Sequence, residues 1–296
     1  MRDVRSVISE GDRVFAADSM LWRICREHVI LLHGPAAAVM QIAQPRIGLG
    51  VFQHSDFQSA PTARLDRTLD TVYTIGFGTI AEANAAARRV HGIHQRVGGD
   101  AQAHDVPGEP KYSAFELDLL MWVIATMIMS SIQGYERAVA KLSDAEKEEF
   151  YGDMRVLGTF FELPSAYGPQ DWESFQKYWA QQIADERLGS HAISRKVAWA
   201  VARPHRPWWL WAASWPMMFM FTEIIPEPVR GRLGFRSNWW TRMSLAVATM
   251  GLRAFVRIAP GRVRFVPHYR KARKSAAMAM LTVSSQKCMG QTPLLR

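Results

Sequence analysis

The chain has 296 residues, 48% of them hydrophobic and 21% charged, which is enough apolar side chain to bury a core as one large domain or two fused ones and too much for global disorder. Its 36 basic residues exceed its 27 acidic ones by 9, a balance that suits nucleic acid, anionic lipid or an acidic ligand without choosing among them. Two cysteines, Cys25 and Cys288, exclude a disulfide framework and a Cys-x-x-Cys metal site, and they fit a reducing compartment.

No apolar run follows Met1-Arg2-Asp3-Val4-Arg5, so no secretory signal and a cytoplasmic location are expected. Val7 to Leu32 reads as one or two helices. Gly34-Pro35 restarts the chain into Ala36 to Ala43, and Gln44-Pro45 closes that helix. A further helix covers Arg64 to Phe77. Thr79-Ile80-Ala81-Glu82 is a capping box, with hydroxyl and carboxylate spaced to satisfy the free amides of a first turn, and the alanine-rich run behind it stops at Gly98-Gly99. Ser113-Ala114-Phe115-Glu116 is a second box, opening a long apolar helix through Leu119, Trp122, Ile124, Met127 and Ile132 to about Lys141. Ser143-Asp144-Ala145-Glu146 is a third, with a helix to about Leu157, and Asp171 caps another to about Leu188. Loops fall at Asp100 to Lys111, Leu163 to Gln170 and Ala202 to Pro207. Period-two strand patterns are nearly absent, so the fold class is all-α, with a globin-like or bundle-like core.

The loop from Ala202 to Pro207 divides a core, 1–202, from a Trp-rich and Arg-rich helical lobe, 203–296, packed on it within one domain. Trp208 to Ile225 is membrane-like in composition, but Pro216 interrupts it and Glu223 sits in it. It reads as a buried helix pair whose aromatics can still meet a membrane surface. Arg262, Arg264, Arg270, Lys271, Arg273 and Lys274 form the one basic cluster. It reads as a solvated end, and no nucleic-acid partner is expected.

Two helical faces carry residues with chemistry. Arg64, Arg67 and Thr68 share one face through three- and four-residue spacing, and two guanidiniums with a hydroxyl can clamp an anion or an oxygen ligand. Spacing alone favours a solvated basic face beside Asp66 and Asp70. His91 and His94, three apart, also share a side, and a helix-borne imidazole can ligate haem iron or another transition metal. Either histidine taken alone reads as a hydrogen-bonded or surface residue. The Glu-x-x-His repeats of a di-iron bundle, the His-Glu-x-x-His motif, the Gly-x-Ser-x-Gly elbow and the P-loop are absent, and Gly48-Leu49-Gly50 lacks the third glycine of a dinucleotide fingerprint. His54-Ser55-Asp56 resembles triad residues by composition only and reads as a loop.

An ordered set of segments resembles a known family. They are Leu31-Leu32-His33-Gly34-Pro35 with Gln41-Ile42-Ala43-Gln44-Pro45, then His54-Ser55-Asp56-Phe57, then Arg64-x-x-Arg67-Thr68 continuing to Phe77-Gly78. Arg88-Arg89-Val90-His91-x-x-His94-x-x-Val97-x-Gly99 and Trp122-Val123-x-Ala125-Thr126 follow. Last come Tyr135-Glu136-Arg137 and Arg264-Phe265-x-Pro267-x-Tyr269. Over most of its length the chain resembles the domain of unknown function 2236 group, which includes the latex-clearing rubber oxygenases and the MpaB-type oxygenases of fungal meroterpenoid synthesis. The resemblance implies an all-helical fold, haem b iron and dioxygen as a partner. It also implies a hydrophobic small-molecule substrate, isoprenoid or lipid-like. By resemblance His94 is the proximal iron ligand, with His91 its rival as a cofactor-binding residue, and Arg64, Arg67 and Thr68 line the distal pocket; Arg64 and Arg67 are expected to approach haem propionates or bound dioxygen.

The sequence departs from the family at three positions. Arg67 stands for a lysine that can occupy the iron's sixth site, Gln44 for a histidine before the proline, and Ile124 for a histidine between Val123 and Ala125. A guanidinium stays protonated and has no free lone pair, so Arg67 is expected to leave the sixth site open or to water, with high-spin ferric iron. The lost imidazoles keep a second expectation in view, a non-catalytic haem-binding or haem-sensing protein.

Overall fold

The computed structural model describes residues 12–57, 59–203, 208 and 217–275. Helices dominate them. They are α1 (Met20–Cys25), α2 (Gly34–Ala43), α3 (Pro45–His54), α4 (Pro61–Phe77), α5 (Ile80–His94), α6 (Leu117–Ala138), α7 (Asp144–Thr159), α8 (Trp172–Ala184) and α9 (Ala192–Ala202). After them come α10 (described over 217–222), α11 (Glu227–Arg232), α12 (Trp239–Ile258), α13 (Gly261–Arg264) and α14 (described over 267–275). Two short 3-10 helices, His28–His33 and Gln102–His104, interrupt the series. The one sheet among the described residues pairs β1 (Gly98–Asp100) antiparallel with β2 (Lys111–Ser113), Gly99 opposite Tyr112. The all-α expectation holds.

Local chemistry explains most helix starts. At α5 and α7 the capping boxes form as spaced: Thr79 and Ser143 accept from the amides of Glu82 and Glu146, whose carboxylates return to the cap amides. At α6 the box does not start the helix. The Ser113 amide donates to Glu116 at 2.8 Å, but the Ser113 hydroxyl accepts from Phe115 and not from residue 116, so the segment closes a turn and α6 begins at Leu117. Gly98-Gly99 likewise opens β1 after α5 has ended at His94; a Cβ on Gly98 would lie 2.9 Å from the Tyr112 carbonyl, closer than a paired strand allows. Of the one or two helices read over Val7 to Leu32, the described residues show α1 and the 3-10 helix His28–His33. Of Trp208 to Ile225, residues 209–216 lie outside the described residues, as do 204–207 of the boundary loop and Cys288.

α6 is the axle. Among the described residues it is the helix long and apolar enough to cross a membrane, yet it packs against the 3-10 helix His28–His33, α2, α7 and α12, as a core helix does. Trp122 in its middle is 1% exposed, donates its indole N–H to the Met40 carbonyl at 2.9 Å and stacks on Trp179 at 5.3 Å. A continuous apolar cluster takes side chains from Phe15 to Ala272. α4 and α5 pack on each other beside it, which places the two chemistry-bearing faces on neighbouring helices.

One buried group is out of keeping with this core. His33 is 1% exposed, and neither ring nitrogen has a hydrogen-bond partner. Its ring lies against Gly134 of α6, where an added Cβ would come within 3.0 Å. Burial, helped by the Arg137 charge, pushes its pKa down to about 4 from the ordinary 6.5. Between those values the unfolded chain binds a proton that the folded chain refuses, so stability falls as the pH drops from 6.5 toward 4. The expected loss is about 3 kcal/mol. Urea midpoints across this window should show it in the wild type and not in His33→Leu; equal pH dependence in both would overturn the account.

Candidate functional site

α5 delivers His91 and His94 one turn apart at its C-terminal end, both half-buried, with the Phe115 ring 5.2 Å from the first and 6.0 Å from the second. The two imidazoles differ in their neighbours. His91 is held at both nitrogens: Nδ1 faces the Glu162 carboxylate, and Nε2 accepts from the Gln95 amide at 2.8 Å. His94 makes no hydrogen bond. Burial holds its pKa below the ordinary histidine value; the Glu162 carboxylate opposes this, and His91 adds to it. At neutral pH it is therefore a neutral imidazole with a free lone pair.

Glu162 follows α7 with φ +66°, a left-handed conformation that is unfavourable for a non-glycine residue and that collects at functional sites. The loop it belongs to forms one wall of an open cleft, through Thr159, Phe160, Glu162, Leu163 and Pro164. α5 forms the other, through Asn84, Ala87, Arg88 and His91. Behind the same Leu163-Pro164 loop lies a cavity of about 10 Å³ lined by Met121, Ile124, Ile128, Tyr151 and Tyr167 among others. Ile124, in the position of a family histidine, is thus an apolar wall residue. Gln44, the other replacement, is the N-cap of α3, its side chain accepting from the Arg46 amide at 2.7 Å.

The α4 group forms a second station. Arg64 is half-buried, and burial lowers its pKa against the attraction of Asp56, with Arg67 adding to the lowering. Arg67 is exposed and donates to Asp56 at 2.6 Å; the exposed Thr68 hydroxyl donates back to the Arg64 carbonyl at 2.9 Å. No described hydrogen bond or ion pair joins this group to His91 or His94. Sequence reasoning missed Glu162, Phe115 and Asp56 as partners. Gln95, four residues after His91 on the same helix, was open to it.

Of the eight histidines among the described residues, six have hydrogen-bond partners: His28, His54, His91, His104, His191 and His268. That leaves His33, sealed in the core, and His94, which borders solvent. No group of three or more His, Cys, Asp or Glu side chains among the described residues could hold a bare metal ion. One free imidazole with no companion ligands is the donor set that a haem iron uses, because the macrocycle brings the other four nitrogens. In donor chemistry His94 fits that group, while the open cleft beside it is lined by His91.

The model of one protein family, described as ER-bound oxygenase mpaB/B′/rubber oxygenase, catalytic domain, matches residues 22–260. The chain belongs to this oxygenase family. Two curated relatives are uncharacterized protein Mb2261 of Mycobacterium bovis and uncharacterized protein Rv2237 of Mycobacterium tuberculosis. Each is 24% identical over 200 residues, which cover 65% of this chain and 76% of the relative. No solved structure matches the chain significantly. Membership of the mpaB/rubber oxygenase family supports an oxidoreductase in general terms, and the expected resemblance is met.

Proposed function

We propose that this protein is a haem b-dependent oxygenase that uses dioxygen on a hydrophobic substrate, isoprenoid or lipid-like, with His94 as the protein's ligand to iron. The observation that carries the reading is the contrast between the two imidazoles of α5, one engaged at both nitrogens and the other neutral and unengaged. Bound haem supplies the one-electron chemistry that amino-acid side chains lack. The chain's own residues position and polarise. Glu162 and Gln95 hold His91 in one tautomer, and through it they fix the end of α5 that carries His94. Arg64 is the candidate for pairing with a propionate, since its half-buried guanidinium is free of a hydrogen bond and already strained by desolvation. Arg67 and Thr68 are the candidate donors toward oxygen, Arg67 on release from Asp56.

An absorption spectrum of the purified protein tests the cofactor: a Soret band retained through gel filtration is expected, and a colourless protein that takes up no added haem overturns the reading. Arg67→Ala separates chemistry from binding. Turnover with a hydrophobic substrate should fall at least about tenfold, the scale of one charge-assisted hydrogen bond, with haem content unchanged. Ile124 in an apolar wall and Arg67 committed to Asp56 favour the second reading, a haem-binding protein without turnover. Haem retained without dioxygen consumption would select it.

A further inference from the structure

α12 turns the usual amphipathic arrangement outward. Leu252, Phe255 and Val256 face inward, packing with Val29, Ala138 and Val139, and Arg253 donates to the Arg137 carbonyl at 2.9 Å, so the helix is fixed on the C-terminal end of α6. Its opposite face is apolar and bare. Trp239, Trp240, Met243, Val247 and Met250 are 57%, 60%, 51%, 60% and 70% exposed, and Ile258 at the end is 81% exposed. At 100° per residue these side chains, with Ala254, fall within about 100° of arc, one continuous stripe along some 30 Å of helix. The two tryptophan rings stack at its start.

Charge decides what this face meets. Arg242, Arg253 and Arg257 are exposed along one edge of the stripe, and α12 contains no acidic residue. Exposed Arg262 and Val263 of α13 continue the pattern. A second copy seated on this face would set arginine against arginine with no carboxylate on the helix to relieve it. A bilayer surface with anionic headgroups supplies both halves of the complement, phosphates for the guanidiniums and an apolar boundary for the stripe, with tryptophan at the depth it prefers. α12 does not reach the hydropathy of a membrane-crossing helix, as α6 does, so the fit is to lying on a bilayer and not to spanning it.

We propose that α12 docks this protein peripherally on anionic membrane surfaces, with the Trp239-to-Met250 stripe in the headgroup region and Arg242 and Arg257 paired with lipid phosphate. The inference stands on the surface alone and does not depend on the haem reading.

The test is co-sedimentation of the full chain with phosphatidylcholine vesicles, with and without phosphatidylglycerol, over a salt series. The expected result is binding at least about tenfold tighter to the anionic vesicles, weakened by salt. Met243→Ser/Val247→Ser/Met250→Ser should lose at least about tenfold in affinity for the anionic vesicles with an unchanged circular dichroism spectrum. Arg242→Ser/Arg257→Ser, both at exposed positions, should lose the preference for anionic lipid, and this pair keeps the test open if the stripe variant does not fold. No vesicle binding by the wild type, equal binding by the stripe variant, or a solution dimer that the stripe variant dissolves would each overturn the proposal, the last by assigning the face to a second copy.

Discussion

His94→Ala should purify almost free of haem, whereas His91→Ala should keep most of it. The reason lies in what each ring is doing before any ligand arrives. His91 spends Nδ1 on Glu162 and Nε2 on Gln95, so coordinating iron would break an ion-supported hydrogen bond and an amide contact. His94 has no such bond to lose, and its lowered pKa means no proton must leave at neutral pH. Removing the sole protein ligand costs the whole coordinate bond. Removing His91 costs only orientation, on the scale of about 10- to 100-fold in affinity typical of residues that support a metal ligand. Haem content by pyridine haemochrome and the ferric spin state by electron paramagnetic resonance are the measurements. The wild type should be high-spin, because Arg67 cannot donate a lone pair to iron. Full haem with an unchanged spectrum in His94→Ala, or a low-spin wild type with two nitrogen ligands, would show that another imidazole holds the iron.

Arg264→Ala is expected to destabilise the fold by about 3–5 kcal/mol, the range for breaking a buried pair from one side. Glu27 is fully buried, and its carboxylate accepts from Arg264 Nε at 2.8 Å and Nη2 at 2.7 Å. The same arginine donates to the Val256 carbonyl at 3.2 Å. Around this pair Glu27 bridges to Phe265, and the Val266 amide donates to the Arg26 carbonyl, so residues 26–27 are clasped to residues 264–266. Truncating the arginine removes both hydrogen bonds and leaves the buried carboxylate with only the Arg26 guanidinium, 3.5 Å away, as a cation. Taking both charges away, in Glu27→Leu/Arg264→Leu, should recover most of the loss, since the interior then holds no unpaired charge. Urea unfolding midpoints decide it. A single-variant loss under about 1 kcal/mol, or a double variant no better than Arg264→Ala, would mean that the pair is not buried as described.

The comparison of residues with structure divides along sequence distance. Thr79 and Ser143 were legible as caps because the partners, Glu82 and Glu146, sit three positions away on the same turn. The Ser113 box had the same spacing and failed, because the Glu116 carboxylate also reaches the Arg46 guanidinium across 70 residues, and no local rule weighs that pull. The face shared by Arg64, Arg67 and Thr68 follows from helical period, but the period does not say that Asp56 occupies Arg67. The lobe that holds α12 was legible only as rich in tryptophan and arginine; the helix's apolar stripe and its outward direction were not. Periodicity finds a stripe and leaves its direction to packing.

Sequence by itself determined the fold class, the starts of α5, α7 and α8 at Thr79, Ser143 and Asp171, and the two chemistry-bearing faces, because capping, helical period and the lack of strand alternation are properties of neighbours within a few residues. The ordered motifs, read without coordinates, also sufficed to point to the oxygenase family, which the match over residues 22–260 shows. Tertiary structure alone decided which imidazole is spoken for: Glu162 meets His91 across 71 residues, from a left-handed turn after α7, and leaves His94 without a partner. It alone decided that His33 is sealed and that Glu27 is clasped by Arg264 across 237 residues. The physical reason is common to all three. A polar group's state depends on its burial and on the partner that reaches it, and both are set by segments that only folding brings together.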